Sequence, residues 1–243
     1  MYLLILGANS DVAQAVARKF AKEEKANLYL ASRDMGILQK RAQDITIRYE
    51  VQAKPLYFDA LDYNSHAGFY DSLNPKPDGV VIAFGYLGDQ KQAQSDFQQA
   101  KQIIETNFVG AVSILEIVAS DFEKRGKGFV IGISSVAGER GRQSNYIYGS
   151  AKGALTTYLS GLRNRLYHYN IHVLTVLPGF ILTKMVDNLS VPKLLSAEPE
   201  RVARDIYHAF VKRRDRIYSK WFWRFIMMPI KLAPERLFKM GRL

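Results

Sequence analysis

A tyrosine and a lysine spaced one helical turn apart are the first side chains in this sequence whose types and spacing suit chemistry. Tyr148 and Lys152 lie near the start of a predicted long helix over residues 146–167. Because residues four apart share a helix face, the lysine ammonium would lie beside the phenol and lower its pKa from about 10. A tyrosine in that state exchanges a proton with a carbonyl or alcohol oxygen near neutral pH.

Two polar residues precede this pair. Ser135 follows a predicted strand over residues 128–134 and comes 13 residues before Tyr148. It would lie at the carboxyl edge of a sheet, where ligands bind in α/β folds, and its hydroxyl is expected to hold the substrate oxygen that Tyr148 protonates. Asn107 lies inside a predicted long helix, where asparagine is a weak helix former and is often merely exposed.

The segments around these residues alternate between strand and helix patterns. Strands are predicted over residues 2–6, 28–31, 53–58, 79–84, 128–134 and 172–177, and helices over residues 11–22, 36–49, 65–73, 97–123 and 146–167. This alternation, with strands apolar on both faces, predicts an α/β fold: a Rossmann-like, doubly wound parallel sheet in a single domain.

The turn between the first strand and the first helix occupies the position of a pyrophosphate-binding loop. It reads Gly-Ala-Asn-Ser-Asp-Val-Ala from Gly7 onward. Gly7 permits a tight turn, and Ser10 or Asp11 can cap a helix whose N-terminal N–H groups attract phosphate. Asn9 and Val12 complete the segment expected to contact a dinucleotide. The usual fingerprint has three glycines, so an ordinary strand–turn–helix connection explains the pattern about equally well.

The end of the second predicted strand bears on which dinucleotide binds. Ser32 and Arg33 stand where NAD sites carry a carboxylate for the ribose 2′-hydroxyl, and Asp34 comes one step later. An arginine suits a 2′-phosphate, so the sequence favours NADP(H) over NAD(H). A solvated surface arginine is the alternative.

The order and spacing of these residues resemble the short-chain dehydrogenase/reductase family over residues 1–218. The matching positions are Gly7, Asn107, Ser135, Tyr148 with Lys152, Pro178 with Gly179, and Thr183. The resemblance implies that Tyr148 is the general acid/base and that Ser135 orients and polarises the substrate oxygen. It also implies that Lys152 lowers the tyrosine pKa and holds the nicotinamide ribose, while Asn107 supports a water chain to Lys152.

The same resemblance implies further cofactor contacts. These are Asp59 and Ala60 at the adenine, Ala83, Phe84 and Gly85 in place of the family's Asn-Ala-Gly, Pro178 and Gly179 after the sixth strand, and Ile181 and Thr183 at the nicotinamide carboxamide. The sequence departs from the family at Leu6, Asp11 and Ala13, which replace a threonine and two glycines. These departures concern cofactor placement and leave the four-residue catalytic set intact.

The positive charge is concentrated at the C-terminus. The chain carries a net charge of +11, of which residues 212–243 contribute +8. Residues 219–243 are predicted to form a basic amphipathic tail after a domain of residues 1–218, with Lys220, Arg224 and Lys231 on one side of a helix. The tail is expected to lie on an anionic membrane surface. The alternatives are packing on the body or on a second subunit and, least favoured, a nucleic-acid arm; no nucleic-acid-binding module is visible.

The combined prediction is an NADP(H)-dependent oxidoreductase that transfers a hydride between nicotinamide and a carbonyl or secondary alcohol, on a lipophilic or lipid-linked substrate. The alternative is a catalytically silent dinucleotide-binding scaffold that acts through its tail. The chain has no cysteine and four scattered histidines, so no metal site is predicted. A cytoplasmic homodimer or tetramer, peripheral at the inner face of the membrane, is expected. Substrate specificity is assigned to residues 86–96 and 137–145 and to a lid over residues 182–196.

Overall fold

The protein is described by a computed structural model over residues 1–183 and 193–241. This part of the chain contains a sheet of seven parallel strands in the order β3-β2-β1-β4-β5-β6-β7. The strands are β1 (Tyr2–Leu6), β2 (Asn27–Ser32), β3 (Ala53–Tyr57), β4 (Gly79–Ile82), β5 (Phe129–Ile133), β6 (His172–Pro178) and β7 (Arg216–Ser219). The strand order reverses between β1 and β4, which opens a crevice at their carboxyl ends.

The described residues form ten α-helices, six of which cover the two faces of the sheet. The ten helices are α1 (Asp11–Glu24), α2 (Met35–Tyr49), α3 (His66–Asp71), α4 (Gln90–Ser95), α5 (Phe97–Ile104), α6 (Gly110–Arg125), α7 (Tyr146–Tyr167), α8 (Pro199–Val211), α9 (Trp223–Leu232) and α10 (Glu235–Phe238). A π-helical turn, Glu105–Val109, joins α5 to α6, and a 3₁₀ turn, Val136–Glu139, follows β5.

The core lies in two layers, one on each side of the sheet. One layer packs α1, α2 and α8 against the sheet, and the other packs α3, α6 and α7. The four residues of β4 are all buried, as are all seven of β6, because helices cover both faces of a parallel sheet. The predicted Rossmann-like α/β fold is therefore confirmed.

Helices α4 and α8 and strand β7 were not predicted from the sequence. Helix α8 begins at Pro199, contacts α1 and contributes Val202 and Ile206 to the core. Strand β7 pairs with β6 at the edge of the sheet and runs through Ser219, past the boundary predicted at residue 218.

The helical run Phe97–Arg125 is long and apolar enough, by composition, to cross a membrane. In the fold it packs against the sheet, where Ile114, Val118 and Phe122 are completely buried. Its apolar character is explained by this core position.

Candidate active site

Tyr148 and Lys152 lie on the first turns of α7, on the side that faces the sheet. Lys152 is 3% exposed, and its Nζ donates a hydrogen bond to the Ile133 carbonyl oxygen at 3.2 Å. The same Nζ lies 5.9 Å from the centroid of the Tyr148 ring. The predicted shared face is therefore present, and both side chains line one cavity of about 340 Å³.

Ser135 reaches the same cavity from the end of β5. Its backbone is extended, and its hydroxyl accepts a hydrogen bond from the Ala137 N–H at 3.1 Å, which caps the following 3₁₀ turn. A hydrogen bond between Ser135 and the Tyr148 phenol acts to lower the tyrosine pKa. The serine and the tyrosine thus meet across the cavity.

Ser134, which the sequence analysis did not single out, fixes the relative position of β5 and α7. Its hydroxyl lies 2.9 Å from the Lys152 carbonyl oxygen and 2.7 Å from the Thr156 hydroxyl. A buried hydroxyl with two partners on one helix holds that helix in register with the strand end. This contact brings Ser135 opposite Tyr148.

Asn107 is 1% exposed and sits in the π-helical turn between α5 and α6. Its Nδ2 donates to the carbonyl oxygens of Tyr86 at 2.6 Å and Ile103 at 2.8 Å, and its Oδ1 accepts from the Tyr86 N–H at 3.2 Å. A methyl group added at Gly85 would lie 2.9 Å from Asn107 Oδ1 and 3.4 Å from Lys152 Nζ. Asn107 Oδ1 and Lys152 Nζ therefore both lie beside Gly85, just beyond the carboxyl end of β4.

Burial changes the acidity of both members of the Tyr/Lys pair. It raises the pKa of Tyr148 to about 12, although the Ser135 hydrogen bond acts in the opposite direction. It lowers the pKa of Lys152 to about 8. The expected lowering of the tyrosine pKa is thus not found here, because loss of hydration disfavours the phenolate more than the neighbouring groups favour it. At neutral pH this tyrosine is a proton donor.

The residues predicted to bind a dinucleotide line two adjoining cavities along the carboxyl edge of the sheet. Asn9, Ser10, Ala83, Phe84 and Gly85 border both. The first, which contains Ser135, Tyr148 and Lys152, is also lined by Asp11, Val12, Pro178, Gly179, Ile181 and Thr183. The second, of about 310 Å³, is also lined by Gly7, Ser32, Arg33, Asp59 and Ala60.

The turn before α1 has the geometry that a close phosphate contact needs. Gly7 has a positive φ of 82°, and a methyl group there would lie 2.4 Å from the Phe84 backbone nitrogen. Ser10 caps α1 by accepting from the Ala13 N–H at 3.2 Å. Asn9 Oδ1 is buried and has no hydrogen-bond partner among the described residues. These features fit a dinucleotide, whose phosphates accept from a helix N-terminus and whose hydroxyl groups donate.

The adenosine end of the cleft carries Arg33, which is exposed and lines the second cavity. Asp34 turns away from this position, because its carboxylate caps α2 by accepting from the Ile37 N–H at 3.1 Å. Arg41 donates to the Asn9 carbonyl oxygen at 2.7 Å, so a second guanidinium lies beside the turn. The positive charge at this end of the cleft suits a phosphate group.

The substrate end of the first cavity includes residues that the sequence analysis assigned elsewhere or missed. Trp223, assigned to the tail, is 3% exposed and lines this cavity together with Phe180. Arg142 and Asn145, within the predicted specificity segment 137–145, also line it. The sequence could have indicated the burial of Trp223 through its four-residue spacing from Met227, because residues at that spacing lie on the same face of a helix.

The tail is held to the body by polar contacts. Arg216, Tyr218 and Lys231 all reach Glu139 Oε1, the last two at 2.8 and 3.0 Å. Two of the three cations that were expected to face a membrane instead contact the body. Lys231 pairs with Glu139, and Lys220 donates to the Leu194 carbonyl oxygen at 2.9 Å. Residues 184–192 of the predicted lid, and residues 242 and 243 of the tail, lie outside the described residues.

Comparison with known proteins identifies the same family along most of the chain. A family model described as short chain dehydrogenase matches residues 2–193. An uncharacterized oxidoreductase of Mycobacterium tuberculosis is 34% identical over 236 residues, which cover 96% of this chain and 94% of that protein. An NADP-dependent 3-hydroxy acid dehydrogenase of Schizosaccharomyces pombe is 30% identical over 75% of this chain and 72% of its own length.

A solved structure has the same fold. It is a short-chain dehydrogenase from Sphingobium yanoikuyae in complex with NADPH, which superimposes with a TM-score of 0.86 at 21% identity and covers 100% of this chain and 96% of its own.

Proposed function

This chain belongs to the short-chain dehydrogenase/reductase family, and we propose that it transfers a hydride between NADP(H) and a carbonyl/secondary-alcohol pair. The proposal is carried by one observation: Tyr148, Ser135 and Lys152 share one cavity at the carboxyl ends of β5 and β6. The relatives of this chain are named oxidoreductases and dehydrogenases, and the family to which it belongs is one of enzymes.

Side chains of this protein would transfer the proton and bind the substrate oxygen. Ser135 donates a hydrogen bond to that oxygen, and Tyr148, which keeps its proton at neutral pH, delivers it as the carbonyl becomes an alkoxide. The Lys152 ammonium stabilises the developing phenolate, while Asn107 holds the β4 end that adjoins it. Nicotinamide, when bound, supplies or accepts the hydride.

The decisive experiment is Tyr148→Phe, with Tyr146→Phe as the matched control. Tyr146 lies two residues earlier on the same helix and is 41% exposed. We expect Tyr148→Phe to lower kcat for NADPH-dependent carbonyl reduction about 10²- to 10⁴-fold, the usual contribution of a general acid, and to leave NADPH binding unchanged. Equal turnover by both variants would refute the assignment.

We propose NADP(H) as the preferred cofactor. The argument is that Arg33 lines the second cavity, that Arg41 donates to the Asn9 carbonyl oxygen in the adjoining turn, and that the Asp34 carboxylate is used as a helix cap. A free carboxylate at that end would bind a ribose 2′-hydroxyl and repel a 2′-phosphate.

We also propose that the C-terminal helices lie on an anionic membrane surface. Helix α9 and the turn before it carry apolar residues on two sides: Trp223 and Met227 face the body, whereas Trp221 in the turn and Phe225, Met228 and Leu232 in the helix are 58–75% exposed. The exposed set follows helical spacing and, with Leu237 and Met240 further on, forms an outward apolar stripe. The exposed cations Arg224, Arg236 and Lys239 accompany this stripe, a combination that favours anionic lipid.

Membrane binding would also bring the active site to lipid. Trp223 lines the catalytic cavity, and Trp221, two residues before it, faces outward. A lipophilic or lipid-linked carbonyl compound could then enter from the surface on which the tail lies. This enzyme would be a cytoplasmic protein, peripheral at the inner face of the membrane.

Vesicle co-sedimentation tests the membrane proposal. Trp221→Ser with Phe225→Ser should abolish binding to vesicles that contain phosphatidylglycerol, because the apolar stripe loses its two aromatic rings. The control is Tyr167→Ser, which alters a side chain that is 74% exposed at the far end of α7. Binding that is equal in both variants, or equal on neutral and anionic vesicles, would contradict the proposal.

A further inference from the structure

The substrate end of the catalytic cavity contains polar atoms that the protein leaves unsatisfied. Arg142 Nε, Asn145 Oδ1 and Trp223 Nε1 are all buried, and none has a hydrogen-bond partner within residues 1–183 and 193–241. All three residues line the cavity that contains Tyr148. Buried polar groups in folded proteins are normally paired, so a cluster of three beside a reaction site indicates a ligand that completes them.

The guanidinium of Arg142 is poorly compensated by the protein. Its remaining contacts are to the Val136 carbonyl oxygen and to Met227 Sδ, both at 3.5 Å, the limit for a hydrogen bond with an oxygen acceptor. No carboxylate of the described residues forms an ion pair with it. Burial lowers the pKa of Arg142, whereas Glu139, the acid three residues earlier, acts to raise that pKa through its charge. Glu139 forms no hydrogen bond with Arg142, and its Oε1 already receives Arg216, Tyr218 and Lys231. Because no carboxylate pairs with it, this half-buried guanidinium favours the binding of an external anion.

Trp223 adds a neutral donor to the same wall. Its indole ring packs against the backbone of Gly179, since a methyl group at that glycine would lie 2.0 Å from Nε1. The ring is held in this position by the rest of the cluster that buries it, which includes Val136, Leu177 and Met227. An indole N–H donates only, so its partner must be an acceptor.

We infer that this cluster binds an anionic oxygen group of the substrate, a carboxylate or a phosphate, close to the carbonyl that is reduced. A guanidinium and an indole N–H are both donors and suit an anionic acceptor, whereas the unpaired Asn145 Oδ1 is itself an acceptor and would take a hydrogen bond from a donor on the same substrate. Arg142 and Trp223 line the same cavity as Tyr148, so the anion would lie in the same pocket as the reacting carbon. The inference rests on the proposed function, because it describes the substrate of the same site.

Paired substrates test the inference. Acetoacetate is compared with methyl acetoacetate, and dihydroxyacetone phosphate with dihydroxyacetone, each with NADPH. We expect the wild type to prefer the charged member of one pair, and which pair responds distinguishes a carboxylate from a phosphate. Arg142→Gln should lower kcat/KM for that charged member about 10- to 100-fold, mainly through KM, and change the neutral member by less than about threefold.

Two further variants separate anion recognition from a general structural effect. Arg140→Gln is the matched control, because Arg140 pairs with Glu235 at 2.7 Å and does not line the cavity. Arg142→Lys keeps the positive charge and should retain part of the preference for the charged substrate. This variant also tests the inference if Arg142→Gln does not fold. Equal losses on charged and neutral substrates, or no preference in the wild type, would overturn the inference.

A binding measurement keeps this test independent of turnover. Trp221 and Trp223 are the two tryptophans of the chain, so Trp221→Phe leaves Trp223 as the sole indole reporter. In that background with NADP⁺ present, acetoacetate or dihydroxyacetone phosphate should change the fluorescence at concentrations where its neutral counterpart does not. The change should disappear with Arg142→Gln. If the anion binds but Tyr148→Phe retains full activity, the proposed function fails and the anion site stands. If Tyr148→Phe loses activity but no anion binds, only the anion site is rejected.

Discussion

At the scale of single residues, the site combines a phenol that holds its proton with an ammonium that is close to losing one. Burial raises the pKa of Tyr148 to about 12 and lowers that of Lys152 to about 8. If the proposed mechanism holds, we expect the lysine to set the upper pH limit for carbonyl reduction, because its charged form would stabilise the phenolate left by proton transfer.

The pH dependence of reduction follows from these values. Lys152 is charged below about pH 8 and loses its proton above it, whereas Tyr148 stays protonated throughout the range. We expect kcat/KM to be flat from about pH 6 to 7 and to fall about tenfold per unit well above pH 8. Lys152→Arg, which stays charged, should move the decline to higher pH. A decline at the same pH in both proteins would contradict the role of Lys152.

Arg33 gives a second residue-scale prediction. Arg33→Ala should weaken NADPH binding by about tenfold or more and leave NADH binding within about twofold, because only NADPH carries the 2′-phosphate that a guanidinium binds. Fluorescence titration of both cofactors measures this. Lys54→Ala on β3 removes an exposed cation outside the two cavities and is the control. Equal weakening of NADPH and NADH by Arg33→Ala would reject the assignment.

At the scale of elements, strand ends and interrupted helices place the functional groups. The run from Phe97 to Arg125 changes to π-helical geometry over Glu105–Val109, and Asn107 lies within this turn. A π turn frees backbone carbonyl groups and redirects one side chain, which here reaches the backbone of Tyr86. The weak helix former in the sequence thus marks a real change in the helix.

The turn from β1 to α1 gives an element-scale prediction. Gly7→Ala would force a side chain into a positive φ and within 2.4 Å of the Phe84 backbone nitrogen. We expect the free energy of unfolding to fall by about 2–5 kcal/mol and NADPH binding to weaken. Gly126→Ala shares the positive φ of 63° but meets open space, so it should cost about 1 kcal/mol. Urea denaturation measures both, and equal losses would show that the contact with Phe84 does not matter.

At the scale of the whole molecule, the C-terminal segment is both part of the body and an outward surface. Trp223 and Met227 complete a cluster with Val136 and Leu177 beside the cavity, while the opposite side of α9 is exposed. The segment therefore joins the substrate pocket to the surface proposed to meet the membrane. The expected dimer or tetramer stays a prediction.

Truncation tests this dual role. A chain that ends at Lys220 loses Trp223 and Met227, and we expect it to lose at least about 3 kcal/mol of unfolding free energy and to raise the substrate KM more than the NADPH Kd. A chain that ends at Ala233 keeps α9 and loses the exposed Arg140–Glu235 pair, which should cost less than about 1 kcal/mol. Equal stability of the two chains would contradict the packing of α9. Thermal unfolding and steady-state kinetics measure these effects.

The sequence by itself determined the strand–helix alternation and the order of the catalytic residues. Periodicity reports which face of an element is buried, and four-residue spacing places Tyr148 and Lys152 on one face of a helix wherever that helix packs. The sequence alone could not predict the pKa of Tyr148, because desolvation of the phenol depends on neighbours that are distant along the chain.

Only the tertiary structure decided which side of the tail faces inward. In the sequence Trp221 and Trp223 are two aromatic residues of one basic segment, and both fit a membrane anchor equally well. The fold buries Trp223 against Gly179 and exposes Trp221. The reason is that the edge strand β7 pairs with β6 and so positions the following helix, α9, beside the end of β6. The unpaired donors of Arg142 and Trp223 likewise exist only once elements distant along the chain meet at the cavity.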